Sequence, residues 1–139
     1  MKKIIGIESV INNILTELGH ISKECYVALN LWELWSGSAF ISIAYDKDSG
    51  FIFADAALCS LPEYPTNDLL IFLLSQNNEP GKIRLALKGD VIMLSWTAYD
   101  KYFSEEDART YIEEHLKEAD RLDNILVSKY NCIWLNTTI

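Results

Sequence analysis

The sequence predicts an α+β domain in which helices accompany an antiparallel sheet of about five strands, in the order α-β-β-β-α-β-β-α. Three observations carry this prediction. Apolar residues recur at helical spacing near both ends of the chain, they alternate with a period of two between those ends, and turn residues separate the alternating stretches. Neither a repeat nor a low-complexity linker interrupts the sequence, so residues 1–139 are expected to form a single domain.

The first element is predicted to be an amphipathic helix. It ends near Gly19, because glycine readily adopts the left-handed conformation of a helix C-cap. Its polar side carries Asn12, Asn13 and Glu17. Its apolar side is formed by Ile4, Ile7, Ile11, Ile14, Leu15 and Leu18.

A meander of three strands follows. Residues 25–35 and 39–45 alternate with the period of a strand, and Ser36-Gly37 lies between them as a hairpin turn. Residues 46–50 form a turn by composition, because Asp and Ser side chains bond the local backbone and Gly accepts a positive φ. Residues 51–58 then supply the third strand.

A short helix and a second hairpin come next. Thr66 is a good N-cap residue, and it precedes the apolar run at 69–74. That run is apolar on more than one face, so we expect the helix to bury one side on its own sheet and another against a partner. Residues 83–88 alternate, Gly89-Asp90 forms a turn, and residues 91–98 form the return strand.

The last helix is expected to begin at a capping box formed by Ser104 and Asp107 and to run to about Lys129. An acidic first turn suits the positive end of the helix dipole. No structure is assigned to the apolar tail at 132–135. The predicted inward stripe of this helix consists of Ala108, Tyr111, Ile112, His115, Leu116, Ala119, Leu122, Ile125 and Leu126.

Charge and cysteine content exclude several classes of function. Twelve Lys and Arg against twenty Asp and Glu give a formal charge of -8, which disfavours nucleic acid and anionic membranes as partners. No apolar stretch approaches the roughly 20 residues needed to span a bilayer. Cys25, Cys59 and Cys132 are odd in number and widely spaced, so we expect buried free thiols and a cytoplasmic location.

The middle of the chain resembles the superfamily of type III secretion chaperones and YbjN-like proteins. The resemblance lies in Asn67-Asp68-Leu69-Leu70, Leu73-Leu74 and Asn77, followed by the hairpin at 82–95. It extends to the order of elements over nearly the whole chain. The resemblance implies a homodimer that holds an extended segment of a secreted effector. The tryptophan-rich first hairpin and the tail at 132–135 depart from that family.

We expect no catalytic, metal or cofactor site. The sequence contains no phosphate-binding glycine loop, HExxH, CxxC or nucleophile elbow, and its two histidines, His20 and His115, are far apart. Adjacent carboxylates such as Glu105 and Glu106 point in different directions on a helix and do not share a substrate. The chain is therefore predicted not to be an enzyme.

Aromatic residues of the meander are the candidate partner-binding residues, because aromatic rings dominate binding hot spots and strand alternation sends some of them away from the helices. The second helix offers more apolar surface than one sheet can cover, which predicts a homodimer. The candidate partner-binding residues are Trp32, Trp35, Phe51 and Phe53. The candidate dimer-interface residues are Leu70, Phe72 and Leu73.

Two functions fit these expectations. The first is a dimeric module, similar to the secretion chaperones, that binds an extended segment of a secreted effector. The second is an acidic immunity protein that neutralises a toxin by binding it. The negative charge suits both, since electrostatic complementarity would steer either partner. A dimer formed through the second helix favours the first function, and a monomer with a concentrated acidic patch favours the second.

Overall fold

The computed structural model describes residues 6–78 and 83–135. Ile4 of the first predicted helix and Lys82 at the start of the hairpin at 82–95 lie outside these residues. A short 3-10 turn at Asp100–Tyr102 leads into the last helix. The α-helices of the described residues are α1 (Ile7–Glu17), α2 (Ser22–Cys25), α3 (Asn67–Gln76) and α4 (Glu105–Tyr130).

The two main helix starts predicted from the sequence are confirmed. Thr66 caps α3, with its hydroxyl accepting a hydrogen bond of 3.2 Å from the Leu69 amide. Ser104 and Asp107 form the capping box of α4, in which the Ser104 hydroxyl accepts from the Asp107 amide at 3.0 Å. These side chains satisfy amides that the helix itself leaves unpaired. The far end of α4 lies one residue beyond the predicted Lys129, and Asn131 there adopts a left-handed φ of 62°.

Within residues 6–78 and 83–135, the strands form one antiparallel sheet of seven strands in the order β1-β2-β3-β4-β6-β5, with β7 paired to β4 beside this path. The predicted meander corresponds to β2, β3 and β4, and the predicted second hairpin corresponds to β5 and β6. The strands are β1 (Tyr26–Ala28), β2 (Leu31–Ser36), β3 (Ala39–Asp46), β4 (Phe51–Ser60), β5 (Arg84–Lys88), β6 (Val91–Tyr99) and β7 (Ile133–Trp134).

Two features raise the strand count above the expected five. Asn30 adopts a φ of 57°, and this left-handed residue divides the first predicted strand into β1 and β2. The apolar tail at 132–135, whose structure the sequence pattern does not predict, adds β7 along β4, where Trp134 lies opposite Cys59. The pairing of β4 with β3 ends at Ala57, which lies opposite Phe40. β7 pairs with the part of β4 that follows, at Cys59 and Ser60.

The helices cover one face of the sheet. Alternate residues of the central strands are buried on that face, including Trp32, Ile41 and Ile52. They pack with the apolar sides of α1 and α4 in one core cluster. Seven of the nine residues in the predicted stripe of α4 join this cluster fully or in part, and burial of His115 is confirmed.

A small polar cluster lies inside the helical layer near β7. Asp123 of α4 is fully buried, and its Oδ2 accepts a 2.5 Å hydrogen bond from the Ser38 hydroxyl. Its Oδ1 has no hydrogen-bond partner within the described part of the chain. Burial raises the pKa of the Asp123 carboxyl, because desolvation disfavours the charged form. The expected burial of all three free cysteines is also confirmed, and the thiols of Cys59 and Cys132 contact each other.

Candidate partner-binding surface

The sheet has a second face, which is left uncovered by the helices of residues 6–78 and 83–135. Side chains of successive strand residues point to opposite faces. In β2, β3, β4 and β6, buried residues alternate with residues that are half-buried or exposed. The latter form the helix-free side, which we call the open face.

Strand register arranges the open-face side chains in rows that run across the sheet, and four of these rows include a residue of β3. The Trp35 row contains Trp35, Phe40, Ala57, Met93 and Ala86. The Glu33 row contains Glu33, Ser42, Asp55, Ser95 and Arg84. The Phe53 row contains Leu31, Ala44, Phe53 and Thr97. The Phe51 row contains Asp46, Phe51 and Tyr99.

Three of the four candidate aromatic residues lie on this open face. The side chains of Trp35, Phe51 and Phe53 are 43%, 41% and 42% exposed. Trp35 packs against Phe40 with ring centroids 5.0 Å apart, and Phe51 packs against Tyr99 at 5.2 Å. In each of these two pairs, the rings pack against each other and leave part of their surface exposed to a partner.

Trp32 is the exception, and the expectation that it belongs to the same surface is wrong. The residue is 0% exposed and lies on the helix-covered face. Its indole Nε1 donates a 2.8 Å hydrogen bond to Oδ1 of Asn12 in α1. Trp32 and Trp35 are three positions apart, so strand alternation places them on opposite faces. Trp32 is a core residue that joins α1 to β2.

The Glu33 row separates the apolar rows on the open face. Asp55 accepts a 2.6 Å hydrogen bond from the Ser95 hydroxyl. Among the described residues, neither Asp55 nor Glu33 takes part in an ion pair. Ser42 lies between the two carboxylates, directly opposite both of them in the strand register. The centre of the open face therefore carries two negative charges over a small, polar residue.

A second apolar surface lies where α3 meets β5. It is a groove of about 300 Å³ lined by Leu70, Leu73, Leu74, Asn77, Leu85, Ala86 and Leu87. Leu70, Leu74 and Leu87 are exposed, and so is the neighbouring Ile71. Isolated apolar residues on a surface need no explanation, but a contiguous group of this kind is typical of an interface.

The three residues expected at a dimer interface differ in exposure and in what they contact. Leu70 is exposed beside the groove, whereas Leu73 is buried beneath it. Phe72 points toward α4 and packs on Tyr130, with ring centroids 4.9 Å apart. Leu70 is thus available for a contact with another chain, while Leu73 and Phe72 belong largely to the packing of α3 on its own domain.

Asn77 closes part of the sheet edge beside this groove. Its Oδ1 accepts a 2.7 Å hydrogen bond from the Leu85 amide, and its Nδ2 donates one of 2.9 Å to the Leu85 carbonyl. The side-chain amide therefore pairs with β5 as a neighbouring strand would. An edge strand with unpaired backbone groups invites pairing with other chains, and Asn77 removes that opportunity at Leu85.

No group of three or more His, Cys, Asp or Glu side chains in residues 6–78 and 83–135 is arranged to hold a metal ion. Within the same ranges, no helix has both the length and the apolar character required to cross a membrane.

Several important residues were missed by reasoning from the sequence. Asp55 and Glu33 alternate with aromatic residues along their strands, but only the strand register brings the two carboxylates to either side of Ser42. Asn77 was noticed as part of a pattern, but its pairing with Leu85 depends on where α3 docks. Asp123 was not placed in the inward stripe of α4, since an aspartate in a helix is ordinarily exposed.

Comparison with known proteins identifies the fold. No protein-family model matches the chain, and no curated protein sequence is significantly similar to it. Solved structures do match, at low sequence identity. The type III secretion chaperone SycH of Yersinia pestis, bound to a fragment of YscM2, has a TM-score of 0.55 and 18% identity, and the match covers 83% of this chain and 98% of that chain.

Two further structures extend the comparison. A chain of the HopA1-SchA chaperone-effector complex gives a TM-score of 0.60 at 10% identity, covering 84% of this chain and 92% of that chain. YbjN from E. coli gives a TM-score of 0.65 at 10% identity, covering 96% of this chain and 100% of that chain. The chain therefore has the fold shared by type III secretion chaperones and YbjN, and the resemblance predicted from the sequence is confirmed.

Proposed function

We propose that this protein is a non-catalytic binding module that holds an extended segment of a partner protein against its open face. The observation that carries the proposal is the group of exposed rings, Trp35, Phe51 and Phe53, on the side of the sheet away from the helices. Large aromatic side chains that remain exposed on one face of a sheet are typical of protein-binding surfaces.

The fold supports the same proposal. One structure with this fold is a chaperone-effector complex, and another is a secretion chaperone bound to a protein fragment. By analogy, we propose that the partner is a secreted effector. A toxin bound by an acidic immunity protein is the alternative, which the formal charge of -8 also suits.

A homodimer and a cytoplasmic location form part of the proposal. The groove between α3 and β5, together with Leu70, Ile71 and Leu74, offers an apolar surface for a second copy. The three buried free thiols suit a reducing compartment. Because Asn77 pairs with the backbone of β5, side-chain packing would dominate such a dimer at Leu85.

The proposal is tested by mutating the open face. The chain is co-expressed with the products of its neighbouring genes, and the dissociation constant of any protein that co-purifies is measured by calorimetry. Trp35→Ala and Phe53→Ala are each expected to weaken binding about 30-fold, since truncating a hot spot costs about 2 kcal/mol or more. Both side chains are partly exposed, so the fold should survive.

Tyr64→Ala is the matched control, because Tyr64 is an exposed aromatic residue of the loop before α3 and lies off the sheet. It should bind like the parent. Thermal melting of each variant separates lost binding from lost folding. Unchanged affinity in both folded open-face variants would contradict the proposal and move the binding surface elsewhere.

A further inference from the structure

We infer that the segment held on the open face carries a lysine or arginine with an apolar side chain two positions before it and another two positions after it. This inference rests on the proposed function and specifies the chemistry of the partner. It follows from the order of the rows on the open face, where two carboxylates lie between two apolar rows.

The spacing of the rows matches an extended polypeptide. Adjacent rows are two residues apart along each strand, which corresponds to about 6.7 Å. An extended chain lying along the strands presents every second side chain at the same interval. Successive inward side chains of such a segment would meet the Trp35 row, the Glu33 row, the Phe53 row and the Phe51 row in turn.

The open-face side chains beneath such a segment are smallest in the middle of β3. The open-face residues in the middle of β3 are Ser42 and Ala44, which are small. Larger side chains flank them, with Glu33 on β2 and both Phe53 and Asp55 on β4. A segment can therefore lie along β3, where a side chain placed over Ser42 has a carboxylate on either side.

Desolvation makes the position over Ser42 selective. A segment that contacts both the Trp35 row and the Phe53 row must also cover Glu33 and Asp55 and displace their water. A buried carboxylate without a partner is strongly unfavourable, and Ser95 supplies only one hydrogen bond to Asp55. A lysine or arginine between the two carboxylates supplies the missing donors and the opposite charge.

The distribution of charge supports the same position. On the open face of β2, β3 and β4, the ionisable side chains are Glu33, Asp46 and Asp55, all of them acidic. The basic open-face residues of the sheet, Arg84 and Lys88, lie on β5, two strands beyond Asp55. The site over Ser42 is thus flanked by negative charge, and a neutral or acidic side chain there would be disfavoured.

The test uses three fluorescein-labelled peptides. The first has leucine, lysine, leucine and phenylalanine at alternate positions, with serine or threonine between them. The second replaces the lysine with norleucine, and the third replaces it with glutamate. Dissociation constants are measured by fluorescence anisotropy for the full chain, for the double variant Glu33→Gln/Asp55→Asn, and for the control Glu63→Gln/Glu114→Gln, which removes two exposed carboxylates away from the open face.

The parent and the control are expected to bind the lysine peptide about tenfold more tightly than either of the others. The Glu33→Gln/Asp55→Asn variant is expected to lose this preference and to bind the norleucine peptide at least as well as the lysine peptide. Comparing three peptides on one protein separates selection by charge from general apolar attraction. The control variant separates the effect of Glu33 and Asp55 from the effect of a changed net charge.

The inference is overturned if the parent does not distinguish the peptides, if the preference survives in the double variant, or if no peptide binds. The proposed function is judged separately with Phe53→Ser. If all three peptides bind the parent equally and Phe53→Ser weakens all of them, the open face binds segments without charge selection, so only the inference fails. If the co-purified partner and the peptides are all insensitive to Phe53→Ser, the proposed function fails as well.

Discussion

His115 is a titratable side chain that α4 buries against the sheet. Its Nε2 lies 2.7 Å from the Leu94 carbonyl oxygen, so this nitrogen carries the proton and donates it. Burial lowers the pKa of His115, although the hydrogen bond to Leu94 and the charge of Asp55 oppose that effect. The folded protein therefore favours the neutral imidazole over a wider pH range than the unfolded chain does.

This difference predicts a pH dependence of stability. Below about pH 6.5, the unfolded chain binds a proton at His115 that the folded protein resists, so the free energy of unfolding falls as the pH falls from 6.5 toward the folded pKa. One proton gives a slope of at most about 1.4 kcal/mol per pH unit. We expect His115→Gln to flatten the decline between pH 7 and 5.5 in urea unfolding.

His20→Gln is the control for that prediction, because His20 is a half-buried histidine in the segment between α1 and α2. It should leave the slope as in the parent. Equal slopes for the parent and His115→Gln would show that another group dominates the acid response.

Among the secondary-structure elements, α1 is joined to the sheet by one partly buried side-chain hydrogen bond within the described residues. Asn12 lies on α1 and accepts the hydrogen bond of the fully buried Trp32 indole. A buried donor that loses its acceptor bears the whole cost of desolvation. This contact therefore fixes how α1 is rotated on β2 as well as adding to stability.

Asn12→Ala is expected to lower the free energy of unfolding by about 1 to 3 kcal/mol, because it leaves the Trp32 indole unsatisfied. Asn13→Ala is the matched control. It makes the same substitution at the next, exposed position of α1, where no comparable contact is lost. Urea unfolding followed by tryptophan fluorescence measures both. Similar stabilities for the two variants would contradict the assigned role of Asn12.

At the scale of the whole molecule, two apolar surfaces lie at different places along the sheet. The open face belongs to the central strands, and the groove beside α3 lies at the β5 end of the sheet. The two surfaces share Ala86 of β5, but β3 lies three strands away from β5, so a partner segment along β3 leaves the groove free to contact a second copy. A stable dimer generally buries at least about 1,000 Å², so contacts beyond Leu70, Ile71 and Leu74 would be required.

We predict that the parent is a dimer at micromolar concentration and that Leu74→Asp is a monomer. Leu74 is 73% exposed beside the groove, so the charge should damage an interface without disturbing the fold. It is a better choice than Phe72→Asp, since Phe72 packs on Tyr130. Light scattering after gel filtration measures the mass of each variant.

Leu29→Asp serves as the control, because it places the same charge on an exposed leucine between β1 and β2, at the opposite end of the sheet. It should remain dimeric. A monomeric parent would argue against the dimer and would favour the immunity-protein alternative.

The sequence by itself determined the type and approximate limits of most elements, because those depend on local physics. Period-two alternation specified β3 and β4, and the side chains of Thr66 and Ser104 marked the starts of α3 and α4. Local turn chemistry also indicated the hairpin at Gly89, which has a φ of 63°. The resemblance in the middle of the chain was sufficient to predict the fold.

Only the tertiary structure decided which side of each strand faces the helices. Alternation alone places Trp32 and Trp35 on opposite faces, but it cannot say which face α1 and α4 cover. The position of β6 between β4 and β5 and the pairing of β7 with β4 are likewise long-range choices that no local pattern specifies. The rows on the open face follow from that register, because contacts between distant strands bring Glu33 and Asp55 to either side of Ser42.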